Sequence, residues 1–322
     1  MNIRSTAAVP HPMPDLGAAF PGPFPASPHA TAVENGLRYW AGEHQLPVPT
    51  NELRTLCAIT SQGIARALPT AGLDSLQLAA DLFLWLVAFD DTHGELAAAA
   101  DPTALAGHVN ELTAVLAGNT PTTPAPARPF TTALRDLLDR ITVRATPSQY
   151  LTLTGHLHGS LLGLLWEAHH LNDPSRVTLR TYHMMRPLTV FARTLTAIAP
   201  IALSYELPER ADAMGAVERA ESETAVLAGW VNDLASYHRE ASRSTVPPLS
   251  LPTLLMHEHH LELPEAFTTA AGMCERQAVL IRAHIDELST GDPGPLTRHA
   301  QALEHIVHAF IWHIRHDRYS TP

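Results

Sequence analysis

Three oxygen-bearing side chains recur every four residues near the end of a long helical segment. Asn232, Ser236 and Glu240 lie in VNDLASYHRE, and this spacing places them on one face of a helix. Their oxygens suit Mg²⁺ rather than zinc or copper. Arg239 falls on nearly the same stripe, so phosphate oxygens of a ligand could complete the metal site. A polar stripe on an exposed helix is the alternative. Toward the start of the helix, this face carries small residues that leave room for a substrate: Ala225, Ala228 and Gly229.

A second acidic set ends the apolar helical segment DLFLWLVAFDDTHGE. Phe83 and Asp90 are seven residues apart and share one helix face, so an apolar wall ends in a carboxylate. Asp91 and Glu95 form an i, i+4 pair of like charges, which is unfavourable unless a cation binds there. These carboxylates suit one or two Mg²⁺ ions. A solvated helix end is the alternative.

Basic groups that could bind an anion occur in two places. Arg186 lies in YHMMRPLTVF among largely apolar neighbours, and a buried arginine there needs an anionic partner. Pro187 directly after it predicts a helix break or kink. The chain ends in RHDRYSTP, where Arg318 and Tyr319 can both donate to phosphate oxygens. A frayed tail is the alternative for this pair.

Helical periodicity dominates the chain from Ala32 onward, and alternating strand patterns are scarce. The pattern and its breakers predict twelve helices, at 31–44, 51–68, 75–93, 102–117, 131–140, 147–171, 177–191, 192–204, 209–239, 251–257, 264–289 and 296–315. Residues 1–30 are rich in proline and predict a mobile arm or an extended wrapper. Because composition changes nowhere sharply, we expect residues 31–322 to form one all-α bundle domain.

The bulk composition argues against several classes of protein. The 322 residues carry a formal net charge of −11, whereas nucleic-acid-binding proteins usually present a basic face. No apolar stretch approaches the ~20 residues of a membrane span, and the N-terminus lacks the apolar core of a secretory signal. Cys57 and Cys274 give no disulfide framework and no zinc cluster. We therefore expect a cytoplasmic protein with no nucleic-acid and no membrane partner.

Taken in order, these features resemble those of bacterial class I terpene synthases. DDTHGE is similar to the aspartate-rich motif of that family, and NDLASYHRE matches its second metal motif, Asn-Asp-x-x-Ser-x-x-(Lys/Arg)-Glu, at every defined position. Arg186 stands where the family has a diphosphate-sensing arginine, and Arg318–Tyr319 match its C-terminal Arg–Tyr pair. The resemblance covers about residues 20–320. It implies a single domain of antiparallel helices around a central active-site cavity.

The resemblance also implies roles for individual residues. It implies ligands for three Mg²⁺ ions: Asp90 for two, with Asp91 and Glu95 in weaker or indirect roles, and Asn232, Ser236 and Glu240 for the third. It implies four groups that bind the diphosphate: Arg186, Arg239, Arg318 and Tyr319. The sequence departs from the family after the sensing arginine. Thr189 and Val190 stand where the family often has an Asp and a Gly that relay closure to the substrate, so ionisation by that route is open.

The implied activity is a Mg²⁺-dependent terpene cyclase that ionises a linear prenyl diphosphate, releases diphosphate and cyclises the carbocation. Metal ions and fixed donors would stabilise the leaving group, and aromatic faces would stabilise the cation. Phe83 and Trp312 are the wall candidates with positional support; Phe89, Phe191 and Trp230 are further candidates. Family frequency favours the fifteen-carbon farnesyl diphosphate and a sesquiterpene product. The alternative is a diterpene cyclase acting on the twenty-carbon geranylgeranyl diphosphate.

Two other functions stay open at this point. A chain-elongating prenyltransferase would use the same metals and diphosphate, but it normally carries two aspartate-rich motifs. A non-catalytic helical binding protein would show no Mg²⁺-dependent release of diphosphate. The oligomeric state is also open, with a homodimer among the expectations.

Overall fold

The computed structural model describes residues 11–119, 128–290 and 294–314 of the chain. These ranges contain two short 3-10 turns and no β-strand. Their α-helices are α1 Ala30–Glu43, α2 Thr50–Ala67, α3 Leu73–His93, α4 Glu95–Ala100, α5 Pro102–Leu116, α6 Pro129–Thr142, α7 Pro147–Ala168, α8 Leu179–Thr189, α9 Ala192–Ala202, α10 Ala211–Arg243, α11 Leu251–His259, α12 Leu263–Leu288 and α13 Pro295–Ile314. None of these helices combines the length and the apolar character needed to cross a bilayer.

Capping side chains set the start of several helices. The Gln149 N–H donates to the Thr146 hydroxyl, and the Thr146 N–H donates to the Gln149 side chain, so a capping box starts α7. Pro147 occupies the first turn, where its missing N–H costs nothing. The Asp101 side chain caps α5 by accepting from the Ala104 N–H. Local sequence therefore fixes these helix starts.

All twelve predicted helices are present, with ends shifted by a few residues, and the predicted all-α fold class is confirmed. The periodicity does not predict α4, which follows a break at Gly94 where the backbone is extended (φ −84°, ψ −154°). At the other motif, α10 runs to Arg243, beyond the predicted end at residue 239. The whole second motif through Glu240 is therefore helical.

The predicted break at Pro187 is wrong in position. Pro187 lies inside α8, which continues to Thr189 because the Val190 N–H still bonds to the Arg186 carbonyl at 3.2 Å. The helical backbone is interrupted at Phe191 instead, where φ is 59°. This is the left-handed region, which bulky side chains rarely adopt. The interruption lies five residues after Arg186 and separates α8 from α9.

Two buried apolar clusters hold the helices together. The first lies mainly among α1–α3, α5–α7 and α9, and it includes Trp85 and Phe89, whose rings stack at 5.9 Å. The second lies mainly among α8 and α10–α13, and it includes Tyr182 and Phe267. The 33-residue helix α10 packs against α8, α9, α12 and α13, while α3 packs against α2, α6 and α9. These contacts bring the helices that carry the two acidic motifs to the same interior.

The described part of the proline-rich arm, residues 11–29, packs on the bundle. Leu16 and Phe20 are buried in the second cluster. The Arg282 side chain donates to the Ala19 carbonyl at 3.2 Å and lies over the Phe20 ring. These contacts favour the extended wrapper over the mobile arm for these residues. The domain boundary at residue 30 stays a prediction.

Candidate active site

A cavity of about 310 Å³ lies between α3 and α10. Helices α2, α9 and α13 complete its apolar part through side chains such as Leu56, Ile64 and Leu195. Six polar residues predicted from the sequence line the same cavity: Asp90, Asp91, Arg186, Asn232, Arg239 and Glu240. The structure thus brings the acidic end of α3, Arg186 and the α10 motif together.

The carboxylate of Asp90 packs against the break that ends α3. The Gly94 N–H donates to the Asp90 carbonyl at 2.7 Å, and a Cβ atom on Gly94 would lie 2.1 Å from the Asp90 Oδ1. A side chain at position 94 would therefore displace the carboxylate, so DDTHGE needs its glycine for a steric reason. The side chain of Glu95 lies outside the described part of the structure, and its predicted role stays a prediction.

The three predicted α10 ligands follow one helix face, as expected. Asn232 and Glu240 line the cavity. The Asn232 Oδ1 accepts a hydrogen bond from the Arg186 Nη2 at 2.9 Å. Ser236 is buried, and its hydroxyl oxygen makes no hydrogen bond to any described residue. Since a buried hydroxyl without a partner costs free energy, Ser236 marks a point where a ligand would be favourable.

Arg186, near the end of α8, is mostly buried, and its guanidinium joins three polar side chains. Nε donates to the Asp233 Oδ1 at 2.9 Å, Nη1 to the Thr189 Oγ1 at 2.7 Å, and Nη2 to the Asn232 Oδ1 at 2.9 Å. Burial acts to lower the pKa of Arg186, but Asp233, Tyr182, Glu167 and Glu240 together more than offset it and hold the pKa above its ordinary value. The guanidinium is therefore a fixed cation beside the second metal motif.

Two residues of α10 hold Arg186 in place. Asp233 is 2% exposed and lies one residue after Asn232 in the motif. Gly229, one turn earlier on α10, leaves room for the arginine stem, because a Cβ atom there would lie 2.7 Å from the Arg186 Cγ. The sequence marks Gly229 as a small residue that leaves room for a substrate. The structure shows that the arginine fills this room, whereas Ala228 lines the cavity.

Comparison with known proteins decides the family. Residues 81–278 match the family model described as terpene synthase family 2, C-terminal metal binding. The chain is a member of this family. The synthase is 50% identical to a (12E)-labda-8(17),12,14-triene synthase from Streptomyces cyslabdanicus, over 97% of this chain and 94% of that relative. The resemblance to bacterial class I terpene synthases is confirmed, and the protein is a lyase of the kind that acts on prenyl diphosphates.

Two further comparisons are more distant. A (+)-(1(10)E,4E,6S,7R)-germacradien-6-ol synthase from Streptomyces pratensis is 26% identical to this synthase, over 93% of this chain and 85% of the relative. Among solved structures, the SVS_A2 protein from ancestral sequence reconstruction has a TM-score of 0.82 at 22% identity, covering 95% of this chain and 90% of that chain. The second comparison shows a shared fold.

The residues of the two motifs fit a magnesium site. No three His, Cys, Asp or Glu side chains of the described residues converge closely enough to hold an ion by themselves. Mg²⁺ keeps several waters and takes phosphate oxygens, so one or two carboxylates from the protein are enough. Asp90 and Asp91 would supply these from α3. Glu240 would supply one from α10, together with the buried Ser236 hydroxyl.

Three phenylalanines form the aromatic part of the synthase cavity. Phe83 of α3, Phe191 at the helix interruption and Phe310 of α13 all line it. Trp312 is not among the lining residues; its ring lies under the Arg66 guanidinium, 4.4 Å from the ring centroid. Residues two apart on a helix point about 200° away from each other. Phe310 therefore takes the place in the cavity wall that the sequence assigns to Trp312.

The other two wall candidates belong to the core. Phe89 is 2% exposed and meets the Phe130 ring edge to face at 5.3 Å. Trp230 lies against the His183 ring at 5.2 Å. Neither side chain lines the cavity. Helical spacing places an aromatic on a face, but it does not show which face meets the cavity.

Thr189 stands beside the guanidinium at the position where the family often has an aspartate. Its hydroxyl accepts from the Arg186 Nη1 at 2.7 Å, so contact at this position is kept without a charge. Asp233 is the nearer anion, since the Glu167 carboxylate is 3.9 Å from the guanidinium. Val190 lines the cavity beside it. The predicted diphosphate-binding pair Arg318–Tyr319 lies outside the described residues.

Proposed function

We propose that this synthase is a diterpene synthase, which ionises a twenty-carbon prenyl diphosphate and releases a hydrocarbon and diphosphate. Its 50% identity to a labdatriene synthase along nearly the whole of both chains carries the proposal, because a labdatriene is a bicyclic twenty-carbon hydrocarbon. The germacradienol synthase, whose product has a fifteen-carbon skeleton, is only 26% identical. The relatives therefore favour the twenty-carbon alternative over farnesyl diphosphate.

The proposed metal ligands come from α3, α4 and α10. They are Asp90 and Asp91 of α3 with Glu95, the first residue of α4, and Asn232, Ser236 and Glu240 of α10. We assign three Mg²⁺ ions to this set. When bound, these ions stabilise the negative charge that develops on the departing diphosphate.

The proposed donors to the diphosphate are three arginines and one tyrosine. Arg186 and Arg239 line the cavity beside the α10 motif, and Arg318 and Tyr319 would add donors from the chain end. A guanidinium presents paired N–H groups that match phosphate oxygens. Because Arg186 Nη2 bonds to Asn232, a diphosphate at this place competes for the same N–H group. Substrate binding and the freeing of the Asn232 oxygen are then linked.

The apolar part of the cavity favours a substrate whose rings are already closed. Closing the two labdane rings requires a proton donated to the chain end remote from the diphosphate. Every Asp and Glu among the described lining residues belongs to the two motifs or, like Glu167, lies near Arg186. This distribution supports the proposal that a separate, protonation-initiated cyclase supplies the bicyclic diphosphate.

With a bicyclic substrate, this synthase would carry out only ionisation and deprotonation. The allylic C–O bond breaks, the diphosphate leaves with the electron pair, and the allylic cation then gives a proton to the departed diphosphate, which leaves a conjugated diene. Phe83, Phe191 and Phe310 face this cation and stabilise it through their ring faces. The apolar lining excludes water, which would otherwise trap the cation as an alcohol.

The test incubates the purified protein with Mg²⁺ and one of three substrates: farnesyl, geranylgeranyl or bicyclic copalyl diphosphate. Diphosphate release gives kcat/KM, and gas chromatography with mass spectrometry identifies the products. We expect the highest kcat/KM with the bicyclic substrate and a diterpene diene as its product. A higher kcat/KM with farnesyl diphosphate would overturn the proposed twenty-carbon substrate. Efficient ring formation from geranylgeranyl diphosphate would overturn the proposal that the rings of the substrate are already closed.

Two further arms address the other functions. A longer diphosphate product after addition of isopentenyl diphosphate would show chain elongation. Absence of Mg²⁺-dependent diphosphate release from all three substrates would show a binding protein. A chelator control separates metal-dependent release from spontaneous solvolysis.

A further inference from the structure

We propose that Asp233 is a positioning residue that couples Arg186 to the loop between α10 and α11, residues 244–250. The inference rests on the proposed function only in that Arg186 contacts diphosphate. Asp233 carries no role in the motif chemistry, yet its carboxylate accepts hydrogen bonds from three donors. Two of them come from α8 and the third from the first residue of α11.

The two carboxylate oxygens of Asp233 serve different parts of the site. Oδ1 accepts from the Arg186 Nε at 2.9 Å. Oδ2 accepts from the Leu251 N–H at 2.6 Å and from the Tyr182 hydroxyl. Asp233 is 2% exposed, and both of its carboxylate oxygens accept hydrogen bonds from protein donors. One rigid, buried group therefore joins the diphosphate-binding arginine to the end of the loop.

The loop that Asp233 anchors forms part of the cavity wall. Val246, Pro247 and Leu249 line the cavity, and Leu251 follows directly as the first residue of α11. Any movement of the Arg186 side chain changes its bond to Oδ1, and the same carboxylate holds the loop through Oδ2. Diphosphate at Arg186 and closure of this wall are thereby linked through a single side chain.

The geometry excludes two simpler roles for Asp233. It does not line the cavity, so it is not a catalytic residue. Both of its oxygens already accept from protein donors, so it is not a metal ligand in this arrangement. A purely structural anchor would stabilise the fold, but it would not make the loop respond to diphosphate. That response is the measurable difference.

The substitution Asp233→Asn tests the coupling because an amide has one acceptor oxygen where the carboxylate has two. Asparagine can accept from Arg186 or from Leu251, but it cannot hold both in the native way. Tyr182→Phe is the matched control, since it removes one donor and leaves the Arg186 and Leu251 contacts intact. Both variants are first compared with the wild type by thermal melting.

The readout is tryptic cleavage between Arg243 and Ser244, two exposed residues at the start of the loop. In the wild type and in Tyr182→Phe, inorganic diphosphate with Mg²⁺ should slow this cleavage by about tenfold or more, as closure protects the bond. In Asp233→Asn the protection should fall below about twofold, while calorimetry still detects diphosphate binding. The prenyl chain plays no part, so this result is independent of the proposed substrate.

Two results would overturn the proposal. The first is full diphosphate-dependent protection in a folded Asp233→Asn variant. The second is equal loss of protection in Tyr182→Phe, which would indicate general loosening. If Asp233→Asn does not fold, Leu251→Pro replaces it, because proline removes the N–H and suits the first position of a helix. Its control is Leu251→Val, which shortens the side chain and keeps the N–H; protection retained in Leu251→Pro would also overturn the proposal.

Discussion

Gly229→Ala adds one methyl group directly under the stem of Arg186. The new Cβ would lie 2.7 Å from the Arg186 Cγ, whereas ordinary contacts begin at 3.4 Å, so the stem or α10 must shift by about 0.7 Å or more. The guanidinium cannot absorb this shift freely, because Asp233, Thr189 and Asn232 hold it at three nitrogens. Misplacement on the order of 1 Å can cost about 10²-fold in rate. We expect kcat/KM to fall by roughly 30- to 100-fold, or about 2–3 kcal/mol.

The assay is diphosphate release with the best substrate found above, combined with thermal melting. Alanine favours a helix over glycine by up to about 1 kcal/mol, so the melting temperature should change little while activity falls. Gly107→Ala on α5 is the control, since a Cβ there meets nothing within 4 Å. A Gly229→Ala enzyme within threefold of wild-type kcat/KM would refute the idea that Arg186 must be held at this place.

Three other predictions follow from the site and the core. Asn232→Ala and Glu240→Ala should each lower diphosphate release by about 10²-fold or more and leave the circular-dichroism signal intact; wild-type rates in both would remove the ligand assignment. Phe83→Leu keeps an apolar wall but loses a ring face worth about 1–2 kcal/mol to one cation, so product ratios at equal conversion should shift while substrate is still consumed, and an unchanged profile would make Phe83 ordinary core. Burial lowers the pKa of His308 from 6.5 to about 4, so the stability present above pH 6.5 is lost as the pH falls toward 4, because only the unfolded chain gains the proton. Burial lowers the pKa of His93 to about 4 as well, so the total loss in the wild type between pH 7 and 5.5 is larger than the share of His308. Chemical denaturation should show this loss reduced by about 1 kcal/mol in His308→Leu and unchanged in the surface variant His257→Gln.

The parts of the structure set by local sequence are the parts that the sequence predicts well. Helical periodicity and caps such as Thr146 place the helices within a few residues. Four-residue spacing places Asn232, Ser236 and Glu240 on one face. The predicted boundary between residues 191 and 192 agrees with the interruption at Phe191, whereas the break predicted at Pro187 does not occur, because Pro187 lies within the last turn of α8.

The supporting contacts of the site depend on how distant helices cross. Asp233 meets Arg186 across 47 residues of sequence, and no spacing rule connects α8 with α10. The rotation of α13 decides that Phe310 rather than Trp312 lines the cavity. Substrate length is harder still to predict from the sequence. The two motifs belong to the proposed diphosphate and metal site, whereas the hydrocarbon end of the substrate would meet apolar side chains of types that are common in any core.

Phe191 combines a strained backbone with a buried ring. A bulky residue at φ 59° costs of order 1–3 kcal/mol, which is less than the roughly 3–5 kcal/mol usually lost when a buried phenylalanine side chain is removed. Because Phe191 is 5% exposed and belongs to the first apolar cluster, the packing of its ring offsets the conformation that its backbone disfavours. Replacement by glycine or asparagine should therefore lower the melting temperature and at the same time remove one of three rings from the cavity. A library of variants selected for heat resistance and a library selected for product yield should both keep phenylalanine here.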